Sequence, residues 1–395
     1  MPALPAEIEK PKTMMLFPIA LVLYEIATYL SNDMYLPALP MLEHDLHISQ
    51  ALAQYSLLTW FLGSASIQLI MGPLSERVGR RSVLLTGGVF FVISSLVCAL
   101  TSNIIVLLIA RFVQGAIICS MVVPGYATIH ELYDSKTAMK VIGIMGSIIV
   151  LAPAFGPILG AFIIEWVSWR YIFGLLAVWS AASLILLFKV MPDTAVTKTP
   201  MNIAQIIKDY LSITTRKAFL AFILPYSLLF MALIGWIVES PFLLIEHYHK
   251  SPVIFGVVQV FVFGAFSLGA QLSGRLIYHF SPVKIINAGI GIAFLGALSL
   301  MFGSIALGAG FTLVVLNMML IAFGISLAFG PLNRLAIESC SEAMGNRMAI
   351  FFTFMNVFGV FGTFAVTLTT THSMAYLSVV IAAEILLAGL CRFIR

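Results

Sequence analysis

The sequence has few charged residues. Asp, Glu, Lys and Arg make up 10% of its 395 residues, against about 25% in an average soluble protein. Hydrophobic residues account for 61%, and the mean hydropathy is +1.06, which no water-soluble globular composition approaches. The net charge of +4 comes from cations scattered singly or in short clusters. This pattern indicates a polytopic membrane protein and argues against a nucleic-acid partner, which needs a basic stripe.

Cysteine and enzyme motifs are also scarce. The four cysteines, at positions 98, 119, 340 and 391, have no metal-ligand spacing, so we expect reduced thiols and no disulfide. Neither HExxH nor GxSxG occurs, and carboxylates plus an arginine do not define a reaction. Two histidine clusters, 43–47 and 247–249, fall outside the apolar runs, where solvated histidines are commoner than zinc ligands. We therefore predict neither an enzyme nor a cofactor or metal.

Long apolar runs are abundant. About 20 apolar residues cross the hydrocarbon layer as a helix, and twelve such runs occur. Their approximate bounds are 14–36, 51–72, 82–101, 103–127, 138–162, 169–190, 218–245, 253–279, 283–305, 309–332, 346–370 and 374–392. Residues 1–12 are too polar and acidic for a cleavable signal peptide, so we expect the first span to be retained.

The longest polar interval divides the chain into halves. We predict a six-helix bundle at 1–190, a linker at 191–217 and a second six-helix bundle at 218–395. Within the linker, Ile203, Ile206, Ile207 and Tyr210 have the spacing of a short amphipathic helix on the membrane face.

The distribution of cations predicts the orientation. With a cytoplasmic amino terminus, 18 of the 21 Lys and Arg residues lie on the inner side. Only Arg170 and Lys250 lie outside, while Arg111 falls within a span. By the positive-inside rule, both termini are predicted to be cytoplasmic.

The two halves resemble each other. GPLSERVGRR, between spans 2 and 3, has a weaker copy, GRLIYHFSPVK, between spans 8 and 9. Asp33 in span 1 is similarly echoed by Glu239 in span 7. Internal duplication of this kind is common in secondary transporters, whose substrate sites lie between the repeats.

These motifs together resemble the major facilitator superfamily. The loop motif is GPLSERVGRR, with Glu76 where the family usually has Asp, and RFVQG places Arg111 within span 4. APAFGPILGA in span 5 resembles the signature of drug/proton antiporters, and LYEIATYLSNDM in span 1 is similar to multidrug and chloramphenicol exporters of the MdfA type. The resemblance implies an all-α membrane protein with 12 transmembrane helices in two pseudo-symmetric six-helix bundles.

Glu25 and Asp33 are the leading functional candidates. An ionised group at the bilayer centre costs roughly 2.5–3.5 kcal/mol on insertion scales, so such groups usually work in a cavity. They lie about 12 Å apart along a helix, and both can face one cavity. Because burial favours a neutral carboxyl, either group could carry a proton or, when ionised, bind a cationic substrate. The alternative for Asp33 is capping or snorkelling at the outer interface.

Three other charged residues fall within predicted spans. Arg111 is permanently charged and either tunes the span 1 carboxylates or clamps onto backbone carbonyls and Gln114. Glu239 is either a third cavity carboxylate or a solvated group at the outer end of span 7. Glu384 in span 12 is expected to be buried in the bundle or adjacent to lipid, and to be protonated.

The remaining candidates come from the motifs and from the family's cavity-lining helices. The predicted conformational lock consists of Gly72, Glu76, Arg77, Gly79, Arg80, Arg81 and Glu131; the alternative is topology alone. The antiporter motif comprises Pro153, Gly156, Pro157 and Gly160, which favour kinking and close helix approach; a static kink is the alternative. Predicted substrate residues are Tyr29, Asn32, Asp33, Leu233, Trp236, Ile237 and Glu239, each of which could instead serve packing.

The resulting hypothesis is a monomeric, proton-coupled exporter of lipophilic cationic and neutral drugs in the bacterial inner membrane. Its predicted mechanism is alternating access, with protons as the coupling ion. The alternatives are a dedicated exporter of one endogenous metabolite or siderophore, an importer on the same fold, and a non-transporting sensor.

Overall fold

The computed structural model describes residues 12–149, 152–192, 203–306, 308, 310–368 and 373–392. The described part of the chain is helical and contains no β-strand. The helices of the first half are α1 (Lys12–Asp33), α2 (Leu39–Leu46), α3 (Gln50–Val78), α4 (Arg80–Leu100), α5 (Ile104–Leu132), α6 (Ser135–Ile149), α7 (Ala152–Trp166) and α8 (Arg170–Val190). Those that follow are α9 (Ile203–Thr215), α10 (Lys217–Pro241), α11 (Pro252–Leu276), α12 (Pro282–Ala306), α13 (Phe311–Glu338), α14 (Met344–Thr367) and α15 (Met374–Cys391).

Ten of the described helices are long and apolar enough to cross a membrane. The first predicted span corresponds to α1. The fifth corresponds to α6 and α7, which lie on either side of residues 150–151. With those ten, the described helices account for the twelve predicted spans, six before and six after the linker, so the described part of the chain has the predicted fold.

Several helix ends differ from the predicted span limits. Three spans extend about six residues past the hydrophobic run: α3 to Val78, α5 to Leu132 and α13 to Glu338. A helix does not end where the hydrocarbon layer ends, because its backbone hydrogen bonds continue into the polar interface. The predicted loop motif therefore lies mostly on helix, and Gly79, with a φ of 106°, is the single residue between α3 and α4.

The first span ends three residues earlier than predicted. Pro37 and Pro40 follow Asp33 closely, and proline cannot donate to a helical hydrogen bond. Accordingly α1 ends at Asp33, and a 3₁₀ turn, Leu36–Ala38, leads into the unpredicted α2. Asp33 is thus the last residue of α1 and lies against the buried turn.

Side chains cap the amino-terminal ends of three helices, α3, α5 and α11, which start on the predicted outer side. The Ser49 hydroxyl accepts a hydrogen bond from the Leu52 backbone N–H, and the Ser251 hydroxyl accepts one from Ile254 N–H. The Asn103 side chain likewise accepts from Ile105 N–H at 2.8 Å. These caps satisfy backbone donors that a helix start leaves unpaired.

The linker helix α9 lies against the second bundle. Ile213 is fully buried beside Phe219 and Phe351. On another face, Ile207 and Leu211 are 53% and 60% exposed. The predicted amphipathic helix is therefore present, with one apolar face on the protein and another outside it. Residues 193–202 of the predicted linker lie outside the described residues.

The two bundles contact each other through two helix pairs. Helix α3 packs along α14, and α7 packs along α11. A Cβ at Gly256 of α11 would approach the Ile158 Cα of α7 to 2.6 Å, so glycine permits this close crossing. Smaller contacts also cross between the halves, where α10 meets α3 and the 3₁₀ turn after α1, whereas the packing of α3 on α5 and of α12 on α13 lies within each half.

Candidate functional site

Glu25 and Asp33 are both buried inside the first bundle. Their exposed fractions are 1% and 7%. The Tyr126 hydroxyl of α5 donates to Glu25 at 3.0 Å from Oε1, with Oε2 at 3.3 Å. Helix α1 therefore carries one carboxylate in its middle and one at its end, both withdrawn from the outer surface. The alternative of a snorkelling Asp33 does not fit this burial.

Arg111 is fully buried and binds groups on three helices. Its Nη1 donates to the Ser31 carbonyl and to Gln114 Oε1, both at 2.9 Å. Its Nη2 donates to Asn32 Oδ1 at 3.0 Å, and its Nε donates to the Ser56 carbonyl at 3.3 Å. Arg111 thus joins α1, α3 and α5 through hydrogen bonds alone.

Aromatic rings complete the surroundings of Arg111. The guanidinium carbon lies 5.2 Å from the Tyr35 ring centroid and 5.8 Å from that of Phe173. Such contacts favour a cation removed from water. Within the described residues, Arg111 forms no ion pair with a carboxylate. The geometry is that of the clamp expected as the alternative, with Asn32 as the link to neighbouring Asp33.

The antiporter motif packs directly on the end of α1. A Cβ at Gly156 would approach the Asp33 Cβ to 2.5 Å, and one at Gly160 would overlap the Met34 carbonyl oxygen. These two glycines let α7 contact the backbone around Asp33, as small residues do in membrane helix packing. Pro157 lies between them inside the continuous helix α7. The structure thus brings together two elements that the sequence identified separately.

Of the predicted lock residues, Arg80 and Glu131 contact each other at the inner end. Arg80 Nη2 lies 2.8 Å from Glu131 Oε1, which connects the start of α4 to the end of α5. Arg81 donates to the Phe188 carbonyl of α8 at 2.7 Å. Glu76 and Arg77 are exposed on the last turn of α3. A Cβ at Gly72 would meet no heavy atom within 4 Å, so no close contact requires glycine there.

The predicted substrate residues divide by exposure. Tyr29 and Ile237 are partly exposed, whereas Asn32, Leu233 and Trp236 are buried. The Trp236 indole N–H donates to Gln259 Oε1 of α11 at 3.2 Å, and this places its ring in the packing of the second bundle.

Glu239 connects the two bundles. It is 5% exposed, and Gln54 Nε2 of α3 donates to its Oε2 at 2.7 Å. Nearer the predicted outer surface, His44 Nε2 lies 3.5 Å from Glu246 Oε1. Glu239 is therefore not the solvated outer-end group of the alternative interpretation.

Three residues that bond the predicted charged groups were not predicted from the sequence: Tyr126, Gln54 and Ser56. Tyr126 lies fifteen positions after Arg111, which places it within about 60° of the same helix face. This spacing could have identified it. Gln54 and Ser56 gave no such signal, because isolated polar residues in an apolar helix have many possible partners across the bundle.

The histidine clusters form no metal site in the structure. The described residues contain no group of three His, Cys, Asp or Glu side chains that could hold an ion. The four cysteines are free in the structure.

The chain is similar to known transporters along most of its length. The sequence profile of the Major Facilitator Superfamily matches residues 21–363. The chloramphenicol resistance protein CraA of Acinetobacter baumannii is 34% identical over 338 residues, covering 86% of this chain and 82% of that protein. The multidrug transporter MdfA of Yersinia pestis is 32% identical over 347 residues, covering 86% and 85%.

Solved structures show the same fold at low identity. A bacterial homologue of the lysosomal transporter Spinster superposes with a TM-score of 0.75 at 12% identity, covering 97% of this chain and 96% of that one. The D-xylose–proton symporter superposes with a TM-score of 0.72 at 18% identity, covering 96% and 97%. Fold, profile and relatives agree with the expectation of a transporter rather than an enzyme. The chain belongs to the major facilitator superfamily.

Proposed function

We propose that this transporter is a drug/proton antiporter that exports lipophilic cationic and neutral compounds by alternating access. The observation that carries the proposal is the pair of buried carboxylates on α1, with the glycines of the antiporter motif packed against Asp33. The relatives named for chloramphenicol and multidrug resistance support the substrate class.

Coupling follows from competition for the same carboxyl groups. A neutral carboxyl is favoured where water is excluded, and an ionised one is favoured beside a cation. A cationic substrate that approaches Glu25 or Asp33 therefore favours release of its proton. A proton arriving from outside in turn favours release of the substrate. Neutral drugs would use the same exchange through the conformational change alone.

The described contacts between the bundles suit a state closed at the outer end. The Gln54–Glu239 hydrogen bond and the His44–Glu246 contact both join the halves there. Opening that end requires these contacts to break, as expected when one bundle rocks against the other. Arg80 and Glu131 would stabilise one of the two states at the inner end.

The proposal also includes the predicted topology. Both termini face the cytoplasm of a bacterium, 1–190 and 218–395 form the two moving bundles, and 191–217 is the cytoplasmic linker. The working unit is a monomer, because each chain supplies both halves of the cavity, and protons serve as the coupling ion without a cofactor.

Drug-driven proton release in inside-out vesicles tests this function. Ethidium or chloramphenicol is added after a pH gradient is established, and collapse of the gradient is followed. We expect collapse with wild type and its loss in Glu25→Gln and Asp33→Asn. The matched control is Glu384→Gln, which makes the same chemical change at a carboxyl that is 4% exposed in the other bundle.

Two results would contradict the proposal. Equal proton release by wild type and both α1 variants would remove Glu25 and Asp33 from the coupling. Failure of every drug in a broad panel to move protons, with the protein folded and inserted, would favour a dedicated metabolite exporter or a sensor.

A further inference from the structure

A groove opens toward the lipid between α12 and α15 in the second bundle. Its volume is about 340 Å³, within the usual range of small-molecule sites. Helices α12 and α15 contact each other, and neither carries a predicted proton-coupling residue. The groove is thus separate from the site proposed for transport.

Two glycines leave the space in this groove. A Cβ at Gly291 would meet no heavy atom within 4 Å, and one at Gly389 would have Ile290 Cγ2 as its nearest neighbour at 3.7 Å. Helix packing therefore does not require glycine at either position. Leu386 and Leu390 form an outer wall and are 47% and 56% exposed. The open side of the groove is therefore lined by apolar side chains.

One end of the groove has a different chemistry. Asn287 and Arg392 line it at the predicted inner end, where α12 begins and α15 ends. Lys284 is exposed one turn before Asn287 on the same helix. The Arg392 guanidinium forms no hydrogen bond or ion pair with any residue in the described part of the chain. An uncompensated cation therefore lies at the mouth of an apolar groove.

We propose that this groove binds one anionic phospholipid of the inner leaflet. An acyl chain would lie along Gly291 and Gly389, and the phosphate would contact Arg392 and Asn287. A lipophilic cation fits the apolar walls but is repelled by Arg392 and Lys284. A phospholipid with a net negative headgroup satisfies both parts of the groove at once.

Native mass spectrometry of the purified full chain measures this binding directly. Phosphatidylglycerol and phosphatidylcholine with identical acyl chains are titrated separately, and bound lipids are counted. We expect tighter binding of phosphatidylglycerol to wild type. Arg392→Gln should weaken phosphatidylglycerol binding about fivefold, the usual effect of one cation near anionic lipid, and should leave phosphatidylcholine binding unchanged.

A second variant tests the groove itself. Gly291→Leu fills the space without a backbone clash and should remove the tightest phosphatidylglycerol adduct. The matched controls are Gly264→Leu, at another glycine with nothing within 4 Å of its Cβ position, and Arg275→Gln, at an exposed inner-end arginine. Both should bind phosphatidylglycerol as wild type does.

Three outcomes would overturn the proposal. They are equal affinity for the two lipids in wild type, unchanged phosphatidylglycerol binding in Gly291→Leu and Arg392→Gln, and displacement of the lipid by ethidium, which would mark a drug site instead. None of these measurements requires transport, so the result is independent of the antiport proposal.

Discussion

At the scale of single residues, the contacts of Arg111 show how a permanent cation is held inside a membrane bundle. The two explanations are an interaction with the α1 carboxylates and a clamp onto uncharged acceptors. Its four hydrogen bonds reach two backbone carbonyls and two side-chain amides. These acceptors neutralise no charge, so the cation is held by dipoles and aromatic faces. The arrangement fixes α1 against α3 and α5, and it therefore sets where Asn32 and Asp33 lie.

Arg111→Lys should destabilise the protein because an ammonium cannot reach all of these acceptors with three donors. Each charged hydrogen bond that is lost lowers the free energy of unfolding by about 1.5–3 kcal/mol. Denaturation of the purified protein in detergent measures the change. Arg170→Lys is the matched control and should have a smaller effect, because the Arg170 side chain is 29% exposed. Unchanged stability of Arg111→Lys would exclude the clamp and favour direct tuning of the carboxylates.

The role of Tyr126 can be tested by removing a single oxygen atom, its hydroxyl. Tyr126→Phe removes the O–H that donates to Glu25, and this donor stabilises the ionised carboxylate. We expect drug-driven proton release to slow by about tenfold, the effect of one charged hydrogen bond. Tyr24→Phe is the matched control, since the Tyr24 hydroxyl has no hydrogen-bond partner in the described part of the chain. Equal rates for the two variants would contradict a coupling role for Tyr126.

At the scale of elements, α9 is attached to the second bundle by a polar contact around Glu342. The Ser212 hydroxyl donates to Glu342 Oε1 at 2.8 Å, and Arg216 Nη2 lies 2.9 Å from the same oxygen. The Asp209 carboxylate also accepts from Asn346 at 2.9 Å. These bonds connect the linker to the start of α14 and to the segment before it, while the Tyr210 hydroxyl donates to the Leu69 carbonyl of α3 at 3.0 Å.

This attachment should weaken in acid. The Ser212 hydrogen bond, with smaller contributions from backbone N–H groups and Arg216, lowers the pKa of Glu342 below its usual value of 4.5. A carboxyl whose pKa is lower in the folded state stabilises that state above about 4.5, and this contribution is lost as the pH falls through the folded pKa. The protection of the α9 amides from hydrogen exchange, which is measured relative to the intrinsic exchange rate at the same pH, should therefore fall below about pH 4.5.

Glu342→Gln provides the comparison for this pH effect. The variant should be less protected in α9 at neutral pH and should lose less protection in acid. If the protection of α9 changes neither with the substitution nor with the pH, the apolar packing of Ile213 alone holds the helix.

At the scale of the whole molecule, the hydrogen bond between Gln54 and Glu239 is a buried polar link between the two bundles. The sequence predicts that Glu239 corresponds in the second half to Asp33 in the first. The duplicated position thus has two different surroundings: one carboxylate packs against α7 and the other against α3.

Gln54→Glu should shift the protein toward a state open at the outer end, because it replaces the donor with a like charge beside Glu239. Spin labels at Leu100 and Ile305, on the exposed outer ends of α4 and α12, report the separation of the bundles. We expect a longer distance in Gln54→Glu than in wild type, both in a background without the four native cysteines. Gln54→Met removes the hydrogen bond without adding charge and should shift the distance less. An unchanged distance in Gln54→Glu would show that this contact does not hold the outer end closed.

The sequence by itself determined the membrane class, the twelve spans and the family, because these depend on the length and order of apolar runs and on local motifs. It also identified Glu25, Asp33 and Arg111, since a charged residue in such a run is conspicuous. Tertiary structure decided which groups these residues contact: Tyr126 at Glu25, Gly156 at Asp33, and carbonyls rather than carboxylates at Arg111. The physical reason is that insertion into a bilayer depends on each segment's own composition, whereas hydrogen-bond partners depend on how separate helices cross.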